Sequence, residues 1–240
     1  MKIIPLSEGR FTIDRSKLFV PFDEREHALQ ERPVGSLLVE IQPFLVITSR
    51  DIILMDTGLG FSDTDGRLQL HKNLMAEGIN PSEVTKVLLS HLHKDHAGGA
   101  GQGNALNFPQ ANYYIQQQEL EFALEKGAPS FVVSDLQCLL YNDQVIKLEG
   151  DGFIDEYIEC RISGAHSPFH QVFWIREEGE IIFFGGDEAP QLQQMKHRFV
   201  AKYDADGRKA MEYRKIWWEQ GRQQGWKFLF YHDIKTPVWG

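Results

Sequence analysis

The sequence predicts an α+β fold in which two sheets pack on each other and helices cover their outer faces. Strand-like runs of Val, Ile and Leu occur in both halves of the chain, and each half also contains segments with helical periodicity. Neither an internal repeat nor a linker separates the halves. A chain of 240 residues can bury about 70 to 75% of its unfolded surface. We therefore expect a single domain over residues 1–240.

Apolar runs that end at turn residues predict the strands, and apolar residues spaced by three and four predict the helices. Pro5 marks the first strand as an edge strand, because proline donates no hydrogen bond to a sheet. The runs at 37–48, which Pro43 interrupts, and at 52–55 are expected to be central strands. The predicted strands, with a hairpin in the first segment, cover residues 2–22, 37–48, 52–55, 84–89, 112–115, 145–148, 153–162, 171–176, 181–184 and 227–231. The predicted helices cover residues 68–79, 117–126, 131–141 and 206–220.

The composition argues against several classes of protein. Hydrophobic residues at 42% and charged residues at 25% are typical of a globular protein. The formal net charge of -9 argues against a surface that neutralises phosphates, so we expect no nucleic-acid partner. Neither a signal peptide nor a run of about 18 apolar residues is present, so we expect a cytoplasmic protein with no membrane partner. Cys138 and Cys160 lack metal-site spacing and are expected to be buried free thiols.

Three imidazoles and a carboxylate lie within the six residues HLHKDH, which begin at His91 directly after the predicted strand at 84–89. In an extended segment, residues two apart share a face, so His91 and His93 can bind one metal ion together. Asp95 and His96, where the backbone turns, can then face a second ion. Imidazole and carboxylate ligands without a thiolate suit zinc and also accept iron or manganese.

Such a site needs further ligands, and candidates stand where later strand-like runs end. These are His166, Asp187 and His232. Asp56 similarly ends the run at 52–55, although an ordinary turn that Asp56 caps is the alternative there. Loops at the ends of buried strands commonly carry functional residues, because the strands hold the loops in position. We therefore expect these side chains on one rim of the fold.

The pattern HxHxDH, followed by a lone His, an Asp and a final His, resembles the metallo-beta-lactamase superfamily, and the similarity spans residues 35–232. The resemblance implies a four-layer αββα sandwich of two mixed sheets, with helices on the outer faces and metals at one edge between the sheets. The ligands it implies are His91, His93 and His166 for one ion, Asp95, His96 and His232 for the other, and Asp187 as a bridge.

The chemistry implied by the resemblance is hydrolysis with two divalent metal ions, zinc before iron or manganese. The ions would lower the pKa of a bridging water, so that hydroxide is available near neutral pH, and would polarise a carbonyl or phosphoryl oxygen. Asp95 is the predicted catalytic residue, which would orient the hydroxide and later move a proton to the leaving group. Asp56 would support a ligand from behind. His170 either orients a ligand or simply packs in the interior.

Among the branches of the superfamily, the spacing around HLHKDHAGG is most similar to that of lactonases and organophosphate hydrolases. The chain departs from the acyl-homoserine lactonase pattern in two places. Ala165, Ser167 and Phe169 stand where those enzymes have Gly, Thr and Gly, and residues 188–195 contain no tyrosine. Whether Tyr203 takes the place of that tyrosine stays open at the level of sequence.

Three functions remain open. The leading one is a dinuclear-metal hydrolase for a small-molecule ester or lactone, or for a phosphoester, with a pocket wall drawn from aromatic residues such as Phe44, Phe61, Phe169 and Tyr203. The second is a mononuclear-iron oxidoreductase resembling sulfur dioxygenases, and the third is a nucleic-acid phosphodiesterase of the same superfamily. The apolar N-terminal hairpin packs either on a second copy, forming a homodimer, or inside its own domain.

Overall fold

Two six-stranded β-sheets carry most of the chain, and the computed structural model describes every residue from Met1 to Gly240. The strands are β1 (Lys2–Pro5), β2 (Gly9–Ile13), β3 (Phe19–Pro21), β4 (Leu37–Ile41), β5 (Phe44–Ile47), β6 (Ile52–Met55), β7 (Lys86–Leu88), β8 (Gly101–Gln102), β9 (Ala105–Leu106), β10 (Asn112–Gln116), β11 (Val145–Leu148), β12 (Gly152–Ile154), β13 (Ile158–Ile162), β14 (Gln171–Glu177), β15 (Glu180–Phe184), β16 (Lys227–Leu229) and β17 (Val238–Trp239). The α-helices are α1 (Gln69–Ala76), α2 (Lys94–Ala97), α3 (Gln117–Lys126), α4 (Leu192–Lys196) and α5 (Gly207–Gln224). Short 3-10 helices cover Leu29–Glu31, Pro81–Glu83, Val133–Leu139 and Gly186–Glu188.

Both large sheets mix parallel and antiparallel neighbours. The first has the order β1-β5-β6-β7-β10-β11, in which β6, β7, β10 and β11 are parallel. The second has the order β12-β13-β14-β15-β16-β17, in which β15 and β16 are parallel. β1, which contains Pro5, lies at an edge as predicted. Parallel neighbours end on the same edge of a sheet, so the loops after β6 and β7, and those after β15 and β16, each share a rim.

Three apolar layers hold this arrangement together. The central layer lies between the two sheets and includes Phe44, Met55, Phe173 and Phe184, all fully buried. A second layer joins the first sheet to α1 and α3, and a third joins the second sheet to α4 and α5. The strands alternate accordingly, since Ile53 and Met55 face the other sheet whereas Leu54 faces the helices. The predicted αββα sandwich of mixed sheets is confirmed.

Helix α5 shows how local signals and packing agree. It begins after Asp206, whose carboxylate accepts a hydrogen bond from the backbone N–H of Lys209 at 3.0 Å, and it ends at Gly225 in the left-handed conformation. Ala210 and Trp217 are buried against the second sheet, and Trp217 packs edge-on against Trp174. None of the helices is both long and apolar enough to cross a membrane.

Three predicted elements differ in detail from the structure. Residues 153–162 form two strands, because Asp155 and Glu156 take positive φ angles of 48° and 67° and reverse the chain between them. Residues 131–141 contain a 3-10 helix, Val133–Leu139, instead of an α-helix. The run predicted at 37–48 divides, since β5 joins the first sheet while β4 pairs with β2 in a separate three-stranded sheet, β3-β2-β4. This small sheet lies at one end of the central layer through Phe11, Val39 and Ile41.

Glu8, between β1 and β2, carries a buried carboxylate that lies against the loop after Asp56. Its Oε2 accepts a hydrogen bond from the backbone N–H of Leu59 at 2.7 Å, whereas its Oε1 is buried without a partner. Burial raises the pKa of Glu8 from its ordinary value of 4.5 to about 7. Between pH 4.5 and 7 the folded chain therefore keeps this proton while the unfolded chain releases it. As the pH rises through this range, the free energy of unfolding falls.

We expect Glu8→Gln to remove this pH dependence, because the amide keeps the acceptor for Leu59 but carries no charge. At pH 8 the variant should have a higher free energy of unfolding than the unmutated protein, and at pH 4.5 the two should agree within about 0.5 kcal/mol. Urea denaturation of the metal-loaded proteins at both pH values measures the difference. The exposed Glu125→Gln is the matched control and should show no such change. Equal stability of Glu8→Gln and the unmutated protein at pH 8 would contradict the assignment.

Candidate metal centre

The candidate site lies at the rim between the two sheets, where the loops after β6, β7, β15 and β16 meet. His91 and His93 follow β7 in extended backbone, and α2 begins after His93, which turns Asp95 and His96 inward. His166 lies in the loop between β13 and β14, Asp187 in the 3-10 turn after β15, and His232 after β16. All seven residues that the sequence nominated are brought together here, in two groups.

The first group combines three imidazole nitrogens with one carboxylate oxygen, from His91, His93, His166 and Asp187. Nδ1 of His93 lies 2.9 Å from Nε2 of His91 and 3.2 Å from Nε2 of His166. Nε2 of His166 lies 3.1 Å from Oδ2 of Asp187. These spacings are close to the edge of a zinc tetrahedron, which is about 3.3 Å for bonds of 2.0–2.1 Å.

The second group consists of Asp95, His96 and His232. Oδ2 of Asp95 lies 3.5 Å from Nε2 of both histidines, so the Asp95 carboxylate faces the group. The other oxygen of Asp187, Oδ1, lies 3.2 Å from Nε2 of His96 and 2.9 Å from Nε2 of His232. Asp187 thus divides its two carboxylate oxygens between the two groups.

Hydrogen bonds from behind orient four of the five imidazoles. In each of them Nδ1–H donates away from the site, which leaves the Nε2 lone pair pointing into it. His96 donates to Oδ2 of Asp56 at 2.7 Å, and His232 donates to the carbonyl of Glu40 at 2.8 Å. His166 donates to Oδ1 of Asp204 at 2.9 Å. His91 donates to the hydroxyl of Ser90 at 3.1 Å. His93 differs, since its Nδ1 faces the site.

Asp56 lies at the centre of this support, as predicted. Its carboxylate accepts hydrogen bonds from the backbone N–H and the hydroxyl of Ser90, each at 2.7 Å, and from His96. Because Ser90 also contacts His91, Asp56 supports one ligand of each group. The Asp56 backbone takes a positive φ of 57°, an uncommon conformation that the surrounding contacts stabilise. The alternative of a plain turn cap is therefore excluded.

The loops that carry Asp56 and His96 are packed backbone to backbone. The N–H and hydroxyl of Thr57 both donate to the carbonyl of His96, at 2.6 and 3.0 Å. A side chain at Gly99 would place its Cβ 2.1 Å from the carbonyl oxygen of Thr57, so only glycine fits. The glycines that end HLHKDHAGG thus allow the two loops to approach each other.

The ionisation of the site reflects burial and mutual charge. Burial, followed by the positive charge of His96, lowers the pKa of His91 well below its usual value. Burial lowers the pKa of His96 too, but the carboxylates of Asp187, Asp95 and Asp56 outweigh it and raise that pKa well above the usual value. Burial raises the pKa of Asp187, but the charges of His232, His96 and His166 outweigh it and hold that pKa well below its usual value.

The residues present fit metal ions. Nε2 of His96 and Oδ1 of Asp187 are buried without a hydrogen-bond partner, and both point into the site. Six carboxylates lie buried around the site, and the one buried guanidinium there, Arg214, contacts only that of Asp204, so their burial would be costly without further cations. These carboxylates are Asp56, Asp95, Glu119, Asp187, Glu188 and Asp204. Divalent cations at the two groups would supply the missing positive charge.

Sequence reasoning missed three of these carboxylates. Glu119 on α3 accepts hydrogen bonds from the N–H of Leu92 at 3.2 Å and from the hydroxyl of Ser167 at 2.7 Å, so it ties two ligand loops together. Glu188 accepts from the N–H groups of Ala165 and His166, and Asp204 accepts from the His166 ring. Each lies far in sequence from the group it contacts. Only Glu119 could have been noticed from the sequence, because it is an acidic residue on the apolar face of a predicted helix.

The structure also places His170, Tyr203 and Phe44, and it decides between the alternatives for His170. The Nε2 of His170 accepts a hydrogen bond from the backbone N–H of Asp187 at 3.2 Å, so His170 orients a ligand loop. Tyr203 lies beside the site with its ring centroid 6.0 Å from that of His166. Phe44 was wrongly assigned to a pocket wall, since it is fully buried between the sheets.

Comparison with known proteins agrees with this geometry. Residues 40–216, about three quarters of the chain, match the model of the metallo-beta-lactamase superfamily. The chain belongs to the metallo-beta-lactamase superfamily.

Among solved structures of this superfamily fold, a probable metal-dependent hydrolase from Staphylococcus aureus aligns with a TM-score of 0.79 and 22% identity, over 99% of this chain and 91% of that one. AidC, a dizinc quorum-quenching lactonase in complex with a product, aligns with a TM-score of 0.73 and 21% identity, over 98% and 88%.

A similar relative by sequence is the N-acyl homoserine lactonase AttM of Azorhizobium caulinodans. It is 31% identical over 108 residues, which is 42% of this chain and 39% of the relative. The match therefore spans about two fifths of that relative's length. The superfamily suggested by HxHxDH is confirmed, and the names of these metallo-beta-lactamase relatives agree with the prediction of a metal-dependent hydrolase.

Removing metal from this superfamily member should destabilise its fold, because the buried carboxylates would repel one another without cations. An ion present at about 1,000 times its Kd contributes about 4 kcal/mol. At this chain length that corresponds to ~8–16 °C in Tm. Thermal unfolding before and after dialysis against a chelator measures the loss, and zinc added back should restore it. A Tm that chelation leaves unchanged would contradict a resident metal at these groups.

Proposed function

We propose that this protein is a dinuclear-metal hydrolase that cleaves a small-molecule ester or lactone. The observation that carries the proposal is the position of Asp187, whose Oδ2 faces the first group and whose Oδ1 faces the second. A carboxylate divided in this way is suited to bridge two ions. We assign His91, His93 and His166 to the first ion, and Asp95, His96 and His232 to the second.

The charge and number of the donors favour two ions over one. A single iron at the first group would leave Asp95, His96 and His232 buried close together without a cation. Nitrogen and oxygen donors without thiolate, at spacings that suit tetrahedral bonds, favour zinc. AidC, which shares the fold, is described as a dizinc lactonase.

When bound, two such ions lower the pKa of a water between them and polarise the carbonyl oxygen of a substrate. The residues of the chain do the rest. Asp95 faces the second group from the start of α2, where its carboxylate can hold the attacking water and then carry a proton to the leaving oxygen. Six of the seven donor residues are buried and His93 is partly buried, which restricts access by bulk water. His170 and Asp56 hold the donor loops in place.

Aromatic rings flank the first group and suit the apolar part of a small substrate. Phe131 packs against His93 with centroids 4.8 Å apart, and Phe122 lies 5.8 Å from Phe131 and 6.1 Å from Phe169. Tyr203 lies on the other side, next to His166. Apolar walls with a few polar groups are typical of small-molecule sites. The lactonases among the relatives support an ester or lactone bond as the one that is cleaved.

A substrate panel with metal analysis tests the proposal. Protein purified without chelator should contain two divalent ions per chain and should hydrolyse aryl esters or lactones faster than phosphotriesters or phosphodiesters. The rate should disappear after chelation and return with zinc. One iron per chain together with oxygen consumption would support the sulfur dioxygenase alternative instead. Cleavage of RNA or DNA with strongly salt-dependent affinity would support the phosphodiesterase alternative.

Two substitutions test the ligand assignment. We expect His93→Ala to remove most activity and to lower metal content, because His93 lies between the other two imidazoles of the first group. We expect Asp187→Asn to weaken the bridge and lower the rate by about 10²-fold or more, since an amide presents only one good acceptor. Metal content per chain and kcat/KM on the preferred substrate are the measurements. His197→Ala, an exposed histidine, is the control. Full metal content and turnover in either site variant would refute the assignment.

A further inference from the structure

We infer that Asp204, held by Arg214, is a positioning residue that sets the affinity of the first metal ion through His166. The inference rests on the proposed function, because it concerns one of the two proposed ions. Asp204 lies between α4 and α5, outside the strand-end loops that carry the ligands. It therefore places control of one ion in a part of the chain that contributes no ligand.

The Asp204 side chain is fully buried, and its Oδ1 accepts the Nδ1–H of His166 at 2.9 Å. This contact selects the tautomer in which Nε2 of His166 carries the lone pair that faces the first group. A carboxylate behind an imidazole also makes that imidazole a stronger ligand. The backbone on either side is anchored to the same loop, because the N–H groups of Ala205 and Asp206 donate to the carbonyls of His166 and Ala165, at 3.1 and 2.7 Å.

Arg214 holds Asp204 from the opposite side. It is 1% exposed, and its Nη1 lies 3.8 Å from Oδ2 of Asp204. The same guanidinium donates to the carbonyl of Glu188 at 3.1 Å and to that of Phe199 at 2.8 Å. Arg214 lies on α5, so the helix, the Asp187–Glu188 turn and the segment before Asp204 meet at one cation. Two hydrogen bonds and one ion pair therefore connect the Arg214 guanidinium to the turn, to that segment and to Asp204.

Glu188 completes the enclosure of His166. Its Oε1 accepts the backbone N–H groups of Ala165 and His166 at 2.7 and 2.8 Å. The backbone of His166 is thus held by Glu188, and its ring is held by Asp204. Arg214 joins the two carboxylate-bearing segments. Both supports of His166 come from carboxylates, whereas the His96 backbone is held by Thr57 and the His232 ring by a backbone carbonyl.

Asp204 differs from Asp56 in the number of ligands that it supports. Asp56 contacts His96 directly and His91 through Ser90, so it serves both groups. Asp204 contacts His166 alone among the ligands. Loss of the Asp204 charge should therefore weaken one ion and spare the other, whereas loss of the Asp56 charge should weaken both. This difference separates positioning of one ligand from general damage to the fold.

Stepwise metal removal tests the inference. Purified protein is dialysed against rising concentrations of a chelator, and zinc per chain is measured at each step. We expect Asp204→Asn, which keeps the shape of the side chain, to release one zinc at about 10-fold lower chelator concentration while the second zinc is retained as in the unmutated protein. Asp56→Asn should shift the release of both ions. Glu212→Gln, an exposed change on the same helix, should shift neither.

The Tm of the metal-free variants separates positioning from structure. A metal-free Asp204→Asn that keeps the Tm of the metal-free unmutated protein, with one zinc weakened, supports the inference. Equal weakening of both ions, or of neither, overturns it. If Asp204→Asn does not fold, Arg214→Lys provides the same test, because lysine keeps the charge but loses the fork that reaches both carbonyls. If the unmutated protein binds fewer than two ions, the dinuclear proposal is refuted instead. The effect of Asp204→Asn is then measured as the chelator concentration that releases the single ion.

Discussion

Carboxylates and imidazoles are buried together at one rim between two sheets, and the rest of the structure follows from that requirement. Buried charges are tolerated only when each is paired or hydrogen-bonded, and four of the five imidazoles have a partner behind the ring. Asp56, Asp204 and the carbonyl of Glu40 supply these partners for His96, His166 and His232. The partners come from a strand end, a connection between helices and the small N-terminal sheet. Most of the fold therefore contributes to the geometry of a few nitrogen and oxygen atoms.

The sandwich makes this arrangement stable because its apolar layers do not depend on the site. The central layer between the sheets and the two layers under the helices bury complete sets of aliphatic and aromatic side chains. The strands end together at the rim, and their loops are free to carry polar residues. The negative charge that collects there favours divalent cations at the expense of the metal-free state. Affinity for metal and stability of the fold are coupled in this way.

Much of the fold and of the candidate site could be predicted from sequence. Alternating apolar runs located most strands, and HLHKDH with His166, Asp187 and His232 named the residues that the structure brings together in two groups. Local backbone conformation limited the prediction of the other strands. The positive φ angles at Asp155 and Glu156, for example, divide a strand that seems continuous in the sequence. Pairing limited it too, because the run at 37–48 splits between two sheets according to which neighbours are available. Phe44 was assigned to a pocket wall because the sequence does not distinguish an aromatic residue of the core from one that lines a pocket.

The sequence by itself determined which donor types meet at the site, because HxHxDH concentrates three imidazoles and a carboxylate within six residues and their spacing needs no distant information. It also determined the superfamily. The tertiary structure decided which atoms face each other, since Asp187 can divide its oxygens only after β15 and β16 meet the loop that follows β7. It likewise decided the roles of Glu119, Glu188, Asp204 and Arg214. Isolated acidic and basic residues carry no local pattern, and their meaning depends on what folding brings beside them.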